Sequence, residues 1–155
     1  MKRKLLTYDE ALHKSAAYCS LSEHCRSELI EKFNYWEVLP EYHEKIIQFL
    51  VKEKYIDEKR YASAFVKDKF RYNKWGRIRL RLELKAKKIE DSIIEEALHE
   101  ISDKEYLLMI NKLITEKEKN IEYRNDYEKK GKLFRYLSAK GFETESINRC
   151  IKLTD

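Results

Sequence analysis

The sequence predicts an all-α protein made of three tandem three-helix units that form an elongated, curved helical-repeat array. Three observations predict it: a composition poor in turn formers, a threefold recurrence of one helical pattern, and a cap-like residue opening each recurrence. The chain has 3 Gly and 1 Pro in 155 residues, too few for a many-stranded barrel or phosphate-cradling loops. Lys, Glu, Leu, Ile, Tyr and Arg supply helix instead. Charged residues make up 39%, which leans toward disorder, but 43% hydrophobic content with 11 Tyr, 6 Phe and 2 Trp offsets the ordering entropy.

The units open at Thr7 (TYDEALHKSAAY), Asp57 (DEKRYASAFVKDKF) and Ser102 (SDKEYLLMINKLI). Each of these residues carries an oxygen that can accept a bond from the free amides of a first helical turn, with acidic residues just after it. The second and third helices of the middle and last units align without a gap at an offset of 53. Leu80 matches Leu133, Leu84 matches Leu137, Ile89 matches Phe142, Ile94 matches Ile147, and Leu98 matches Ile151. The tripeptides at 86–88 (AKK) and 139–141 (AKG) agree as well. The first unit follows more loosely, with Leu29, Phe33, Val38, Ile46 and Leu50 in the same roles and extra residues around Pro40, which cannot lie inside a helix and marks a connection.

The expected units are therefore 1–56, 57–101 and 102–155, giving nine helices. Each unit is expected to bury its own small core and to share limited interfaces with its neighbours. The stretch 115–130, TEKEKNIEYRNDYEKK, is poor in apolar residues, so the end of the seventh helix is the expected weak point in the order.

The segment WGRIRLRLELKAKKI alternates from Arg77 to Leu84 and imitates a strand. The matching positions in the other units, 27–33 and 132–137, do not alternate, so helix is preferred. On a helical wheel Leu80 and Leu84 face the core, whereas Ile78 and Leu82 cover a neighbouring unit or stay exposed for a partner. Arg77, Arg81, Lys85 and Lys88 share one sector and form a cationic stripe about 16 Å long at about 1.5 Å per residue.

Charge is concentrated in this region. The net charge is +5, yet 67–88 holds ten basic residues against Asp68 and Glu83, a local +8 that leaves −3 for the rest. Such asymmetry is expected of a chain that meets a polyanion or an acidic partner. The candidate contacts are Arg60, Lys67, Arg71, Lys74, Arg77, Arg79, Arg81, Lys85, Lys87 and Lys88. Tyr72 and Trp75 are candidates for stacking on exposed bases, although rings of this kind also complete small cores.

Other chemistry finds little footing. His13, His24, His43 and His99 are scattered, and the adjacent His24 and Cys25 do not share a helix face, so no metal is assigned. Asp57 reads as a helix cap, and Glu58, Glu95 and Glu96 as solvated helix residues, so no catalytic pair is assigned. No Gly-rich phosphate loop or GxSxG elbow occurs, and no cofactor is expected. Cys19, Cys25 and Cys150 lack CxxC spacing, the N-terminus lacks an apolar leader, and no apolar run of about 18 residues exists. The expectation is a cytoplasmic protein that does not span a membrane.

From Tyr55 to Leu98 the sequence resembles the signature of the bacterial RecX regulatory proteins. That family's pattern has an Asp-Asp pair before an Arg-Phe-Ala helix, then a Gly, an Arg-rich helix ending in Glu-Leu, and a Lys-Gly-Ile turn. Asp57, Arg60, Ala62, Gly76, Arg77, Leu80, Glu83, Leu84, Lys87 and Ile89 match it, with departures at Glu58 in place of the second Asp, Tyr61 in place of Phe and Lys88 in place of the turn Gly. Arg26 to Leu29 in the first unit is similar too. The resemblance implies a regulator that lodges in the groove of the RecA recombinase filament on DNA; with no catalytic constellation in the sequence, the expectation is a non-enzymatic, monomeric protein. It would limit ATP hydrolysis, strand exchange and RecA-stimulated repressor cleavage, within recombination, DNA repair and the SOS response. Its partners would be RecA and single- or double-stranded DNA. The alternative is an autonomous helical nucleic-acid-binding module.

Overall fold

A computed structural model describes residues 4–153, which contain nine α-helices and no strand. They are α1 (Tyr8–Leu21), α2 (Arg26–Tyr35), α3 (Pro40–Lys52), α4 (Glu58–Asp68), α5 (Arg77–Ala86), α6 (Asp91–Leu98), α7 (Asp103–Glu118), α8 (Asp126–Ala139) and α9 (Thr144–Leu153). They group in threes. The all-helical, three-helix organisation read from the sequence is the observed one. The alternating segment is helical as well, with Leu80 and Leu84 fully buried and Ile78 and Leu82 exposed, at 42% and 64%.

The three opening caps act as their chemistry dictates. Thr7 Oγ1 accepts from the Glu10 amide at 3.2 Å, and Glu10 Oε1 reaches back to the Thr7 amide. Asp57 Oδ1 accepts from the Arg60 amide at 3.1 Å, and Ser102 Oγ from the Glu105 amide at 3.1 Å. Pro40 stands first in α3, where its missing N–H costs nothing.

The turn between the second and third helix of each unit is also one structure used three times. It places a single residue at positive φ: Glu37 at 58°, Lys88 at 62° and Gly141 at 95°. The next residue is buried and closes the helix end, with Val38, Ile89 and Phe142 donating to the carbonyls of Phe33, Leu84 and Leu137. Lys88 thus adopts the left-handed conformation that glycine would take more cheaply, and the turn survives.

Packing departs from expectation in one respect. The first unit buries its own core, built on Leu29, Phe33, Ile46, Ile47 and Leu50. The second and third units do not have separate cores. A continuous cluster runs from Tyr61 and Val66 through Leu80, Leu84 and Leu98 to Tyr106, Ile110, Leu137, Phe142 and Ile147. Phe70, Tyr106 and Phe142 bridge it, with ring centroids 6.0 and 5.3 Å apart. The link is Tyr106 in the first turn of α7, whose ring meets Phe70 of the second unit and Phe142 of the third and whose hydroxyl accepts from the Arg77 amide. Among the described residues, Cys25 alone carries the first unit into this cluster. The molecule remains extended: it exposes 10428 Å², against about 8300 Å² for a compact monomer of its mass.

A second feature lay outside the sequence reading. After Asp68 the helix widens into a π turn, Lys69–Asn73, which ends on Lys74 at φ 57°. It turns Phe70 into the core while Arg71 and Tyr72 point to solvent, Tyr72 at 80% exposure. The apolar-poor stretch 115–130 contains the end of α7 at Glu118, a connection in which Ile121 packs on the core, and the start of α8, capped by Asn125.

Candidate nucleic-acid and protein interface

The basic residues of the middle unit are the candidate site. Their placement follows from the core: with Leu80 and Leu84 inward, α5 presents its cations along its flanks and toward the neighbouring units. Of the ten candidates, eight have a carboxylate within ion-pair distance. Arg71 and Lys88 have none among the described residues.

The strongest of these contacts are structural. Arg77 is only 18% exposed, lies over the Tyr106 ring at 3.9 Å, donates to the Ile101 carbonyl at 3.1 Å, and pairs with Asp103 at 3.3 Å and Glu143 at 3.8 Å. Arg81 grips Glu95 with two donors, at 2.7 and 3.2 Å. That bidentate bond raises the guanidinium pKa and lowers the Glu95 carboxyl. Arg60 meets Glu23 at 2.6 Å and the carbonyl of Lys54, and Lys87 meets Glu28 at 3.3 Å. Apart from the Arg81–Glu95 pair, which lies within the middle unit, these contacts tie that unit to the first and third.

The remaining pairs are longer: Lys67 with Glu100 at 3.7 Å, Lys74 with Glu116 at 3.5 Å, Arg79 with Glu83 at 3.6 Å, and Lys85 with Asp91 at 3.7 Å. Exposed pairs of this sort are worth about 0–1 kcal/mol, so a phosphate can displace the carboxylate at little cost. Trp75 packs on the core edge, with Arg79 4.4 Å and Lys69 5.5 Å from its ring centroid. Tyr72 is exposed, and its ring meets no other ring or cation among the described residues.

The carboxylates have structural uses. Asp57 caps α4, Glu95 holds Arg81, and Glu96 lies 3.9 Å from Lys59. Glu58 is the exception: burial raises its pKa, and one of its oxygens is buried without a hydrogen-bond partner. His24 stacks on Tyr18 at 3.8 Å and bonds Ser22 and Glu28, a contact set that fixes the α1–α2 connection. Burial pushes the Cys19 thiol up to about 11 and raises Cys25 and Cys150 as well.

Sequence reasoning missed Lys69, Lys117 and Lys140. Lys117 and Lys140 stand 4.6 and 5.5 Å from the Tyr136 ring centroid, at the seam between the second and third units. Lys140 was reachable, since its tripeptide aligns with the one holding Lys87. Lys117 was not, because only tertiary packing brings α7 there.

Fold and site together define an extended tandem three-helix-repeat protein whose middle unit contains the +8 segment 67–88 and is tied to both neighbours by ion pairs. Comparison with known proteins narrows this class. The family model for the second three-helix domain of RecX matches residues 57–98. The chain is 30% identical to the regulatory protein RecX of Clostridium botulinum strain Alaska E43, over 97% of this chain and 73% of that protein. It is 28% identical to that of Prosthecochloris aestuarii, over 92% and 91%. Against that of Clostridium acetobutylicum the identity is 33%, over 70% of this chain and 52% of the relative, so the chain spans about half the length of several curated relatives. Among solved structures, RecX from Lactobacillus salivarius superposes with a TM-score of 0.81 at 26% identity, covering 94% of this chain and 95% of that one. The chain belongs to the RecX family.

Proposed function

We propose that this chain is a non-enzymatic regulator of the RecA recombinase. In this reading it binds the RecA filament on single- or double-stranded DNA and restrains ATP hydrolysis, strand exchange and RecA-stimulated repressor cleavage. The observation that carries the proposal is family membership over nearly the whole chain, together with the +8 segment at 67–88. The extended shape, a row of three units taken as 1–56, 57–101 and 102–155, supports it by offering a large exposed surface for a partner. The fused second and third units would form a stiff body. The first unit, joined through Arg60–Glu23, Lys87–Glu28 and the Ser27 bond to the Lys87 carbonyl, would adjust against it.

The proposed contacts are Arg71, Tyr72 and Lys88, exposed and without an ion pair or ring contact among the described residues, and Lys67, Lys74 and Arg79, whose partners are weak. Arg77 and Arg81 serve chiefly to hold the middle and last helices in place. A cytoplasmic, monomeric protein working in recombination and DNA repair fits this role.

Co-sedimentation tests it. The full chain, mixed with its cognate RecA on single-stranded DNA and a non-hydrolysable ATP analogue, is expected to pellet with filaments at concentrations where naked DNA carries none. Equal pelleting with naked DNA would favour an autonomous nucleic-acid-binding module instead.

A further inference from the structure

The seam between the second and third units gathers five cations around two aromatic rings. Lys69 and Arg79 stand over Trp75, and Lys117 and Lys140 over Tyr136. Lys74 sits at the foot of the π turn beside them. Backbone contact pins the two sides together: the Gly76 amide donates to the Lys140 carbonyl at 2.9 Å, and Gly141 packs directly on Arg79. Against the five cations stand two carboxylates, Glu83 on Arg79 and Glu116 on Lys74, a surplus of three positive charges. Among the described residues no carboxylate lies within ion-pair distance of Lys69, Lys117 or Lys140.

Like charges held this close repel one another, and the fold holds them on rigid elements rather than letting them disperse. The repulsion leaves its mark on Lys140: burial first, then Lys74, Arg79 and Lys117, lower its pKa. An incoming anion relieves both penalties. The anion's charge is most useful when spread over several points, because the cations lie along a seam rather than around one focus. The ring faces are already occupied by ammonium and guanidinium groups, so bases have little room to stack there.

We propose that this seam is a phosphodiester-binding site, with Lys69, Lys74, Arg79, Lys117 and Lys140 contacting successive phosphates of a nucleic-acid backbone. It deepens the regulator reading, and rests on it only for where the phosphates come from. It shares Lys74 and Arg79 with the contacts proposed above and adds Lys69, Lys117 and Lys140, which centres the phosphate contacts on the junction with the third unit.

The test is fluorescence anisotropy of the full chain with labelled dT15 and, separately, a 15-base-pair duplex. K117E/K140E is expected to lower affinity for the preferred probe at least tenfold and, for dT15, to flatten the dependence of log affinity on log salt by about 1.4, at about 0.7 per single-strand phosphate. A charge-matched control in the first unit, K45E/K52E, should stay within threefold of wild type. Circular dichroism checks folding, and K117Q/K140Q provides a milder second variant. Whichever probe binds more tightly identifies the source of the phosphates. The proposal is overturned if K117E/K140E binds like the control, or if poly-glutamate of equal charge competes as well as dT15, which would mark an acidic-protein dock. A chain that restrains RecA but binds neither probe overturns this site and leaves the regulator reading standing. Loss of probe binding by the variants, in a chain without effect on RecA, supports the site and removes the regulator reading.

Discussion

Gly76 and Gly141, from different units, meet backbone to backbone. The Gly76 amide donates to the Lys140 carbonyl, and the Ile78 amide to that of Gly141 at 3.0 Å. A Cβ on Gly76 would overlap the Gly141 carbonyl, and one on Gly141 would overlap Arg79, in addition to being strained at φ 95°. Neither residue is replaceable here. G141A is expected to cost about 2 kcal/mol or more, the scale of one strained backbone site plus a clash, lowering Tm by about 4 °C or more. K88G, which relieves the same positive φ without any such contact, should raise stability by up to about 1 kcal/mol. Thermal denaturation of both variants checks the contrast.

Tyr106 stands beneath this contact. Its hydroxyl accepts from the Arg77 amide at 2.9 Å and donates to Glu143. Burial and that carboxylate raise its pKa. Y106F strands the first amide of α5 and should cost about 1–3 kcal/mol by urea denaturation, the penalty of an unmet buried donor. No measurable loss would mean that the pair makes no contribution.

Two carboxylates predict opposite responses to pH. Glu95, bonded to Arg81, has a lowered pKa, so its stabilisation is present above the ordinary carboxylate range and is lost as pH falls through the lowered value. Glu58 has a raised pKa through burial, so its favourable contribution exists below that range and is lost as pH rises through the raised value. At pH 7, E95Q should melt lower than wild type by less than about 1 kcal/mol, as the pair is exposed, whereas E58Q should melt higher. The E58Q gain should shrink toward pH 4, measured by thermal scans in a pH series.

The shared core implies shared cooperativity. F142A should cost about 3–5 kcal/mol and weaken amide protection across both α4–α6 and α7–α9 while sparing α1–α3. Hydrogen exchange read helix by helix shows the pattern. Loss confined to α7–α9 would mean that the second and third units fold separately.

Local chemistry made much of this fold legible. Thr7, Asp57 and Ser102 announce helix starts because a side-chain oxygen before an acidic turn has few other uses, and Leu80 with Leu84 marks the buried face of α5 against a misleading alternation. The offset of 53 even located the repeated turns at Lys88 and Gly141. What escaped depends on contacts far apart in sequence. The π turn at Lys69–Asn73 has no composition signal, and the merging of two cores depends on where α7 lands. The pairing of Arg60, Arg77 and Arg81 was hinted at only by the acidic surplus outside 67–88, which joins units through Arg60 and Arg77 and braces the middle unit internally through Arg81. Lys117 joins the cationic seam through packing alone.

The central claim is that the chain acts on the filament itself. Titrating the full chain into cognate RecA turning over ATP on saturating single-stranded DNA tests this most directly. The account predicts ATPase suppression at a small fraction of the amount needed to coat the DNA. Suppression only at coating levels, or undiminished turnover with the chain bound, would contradict it.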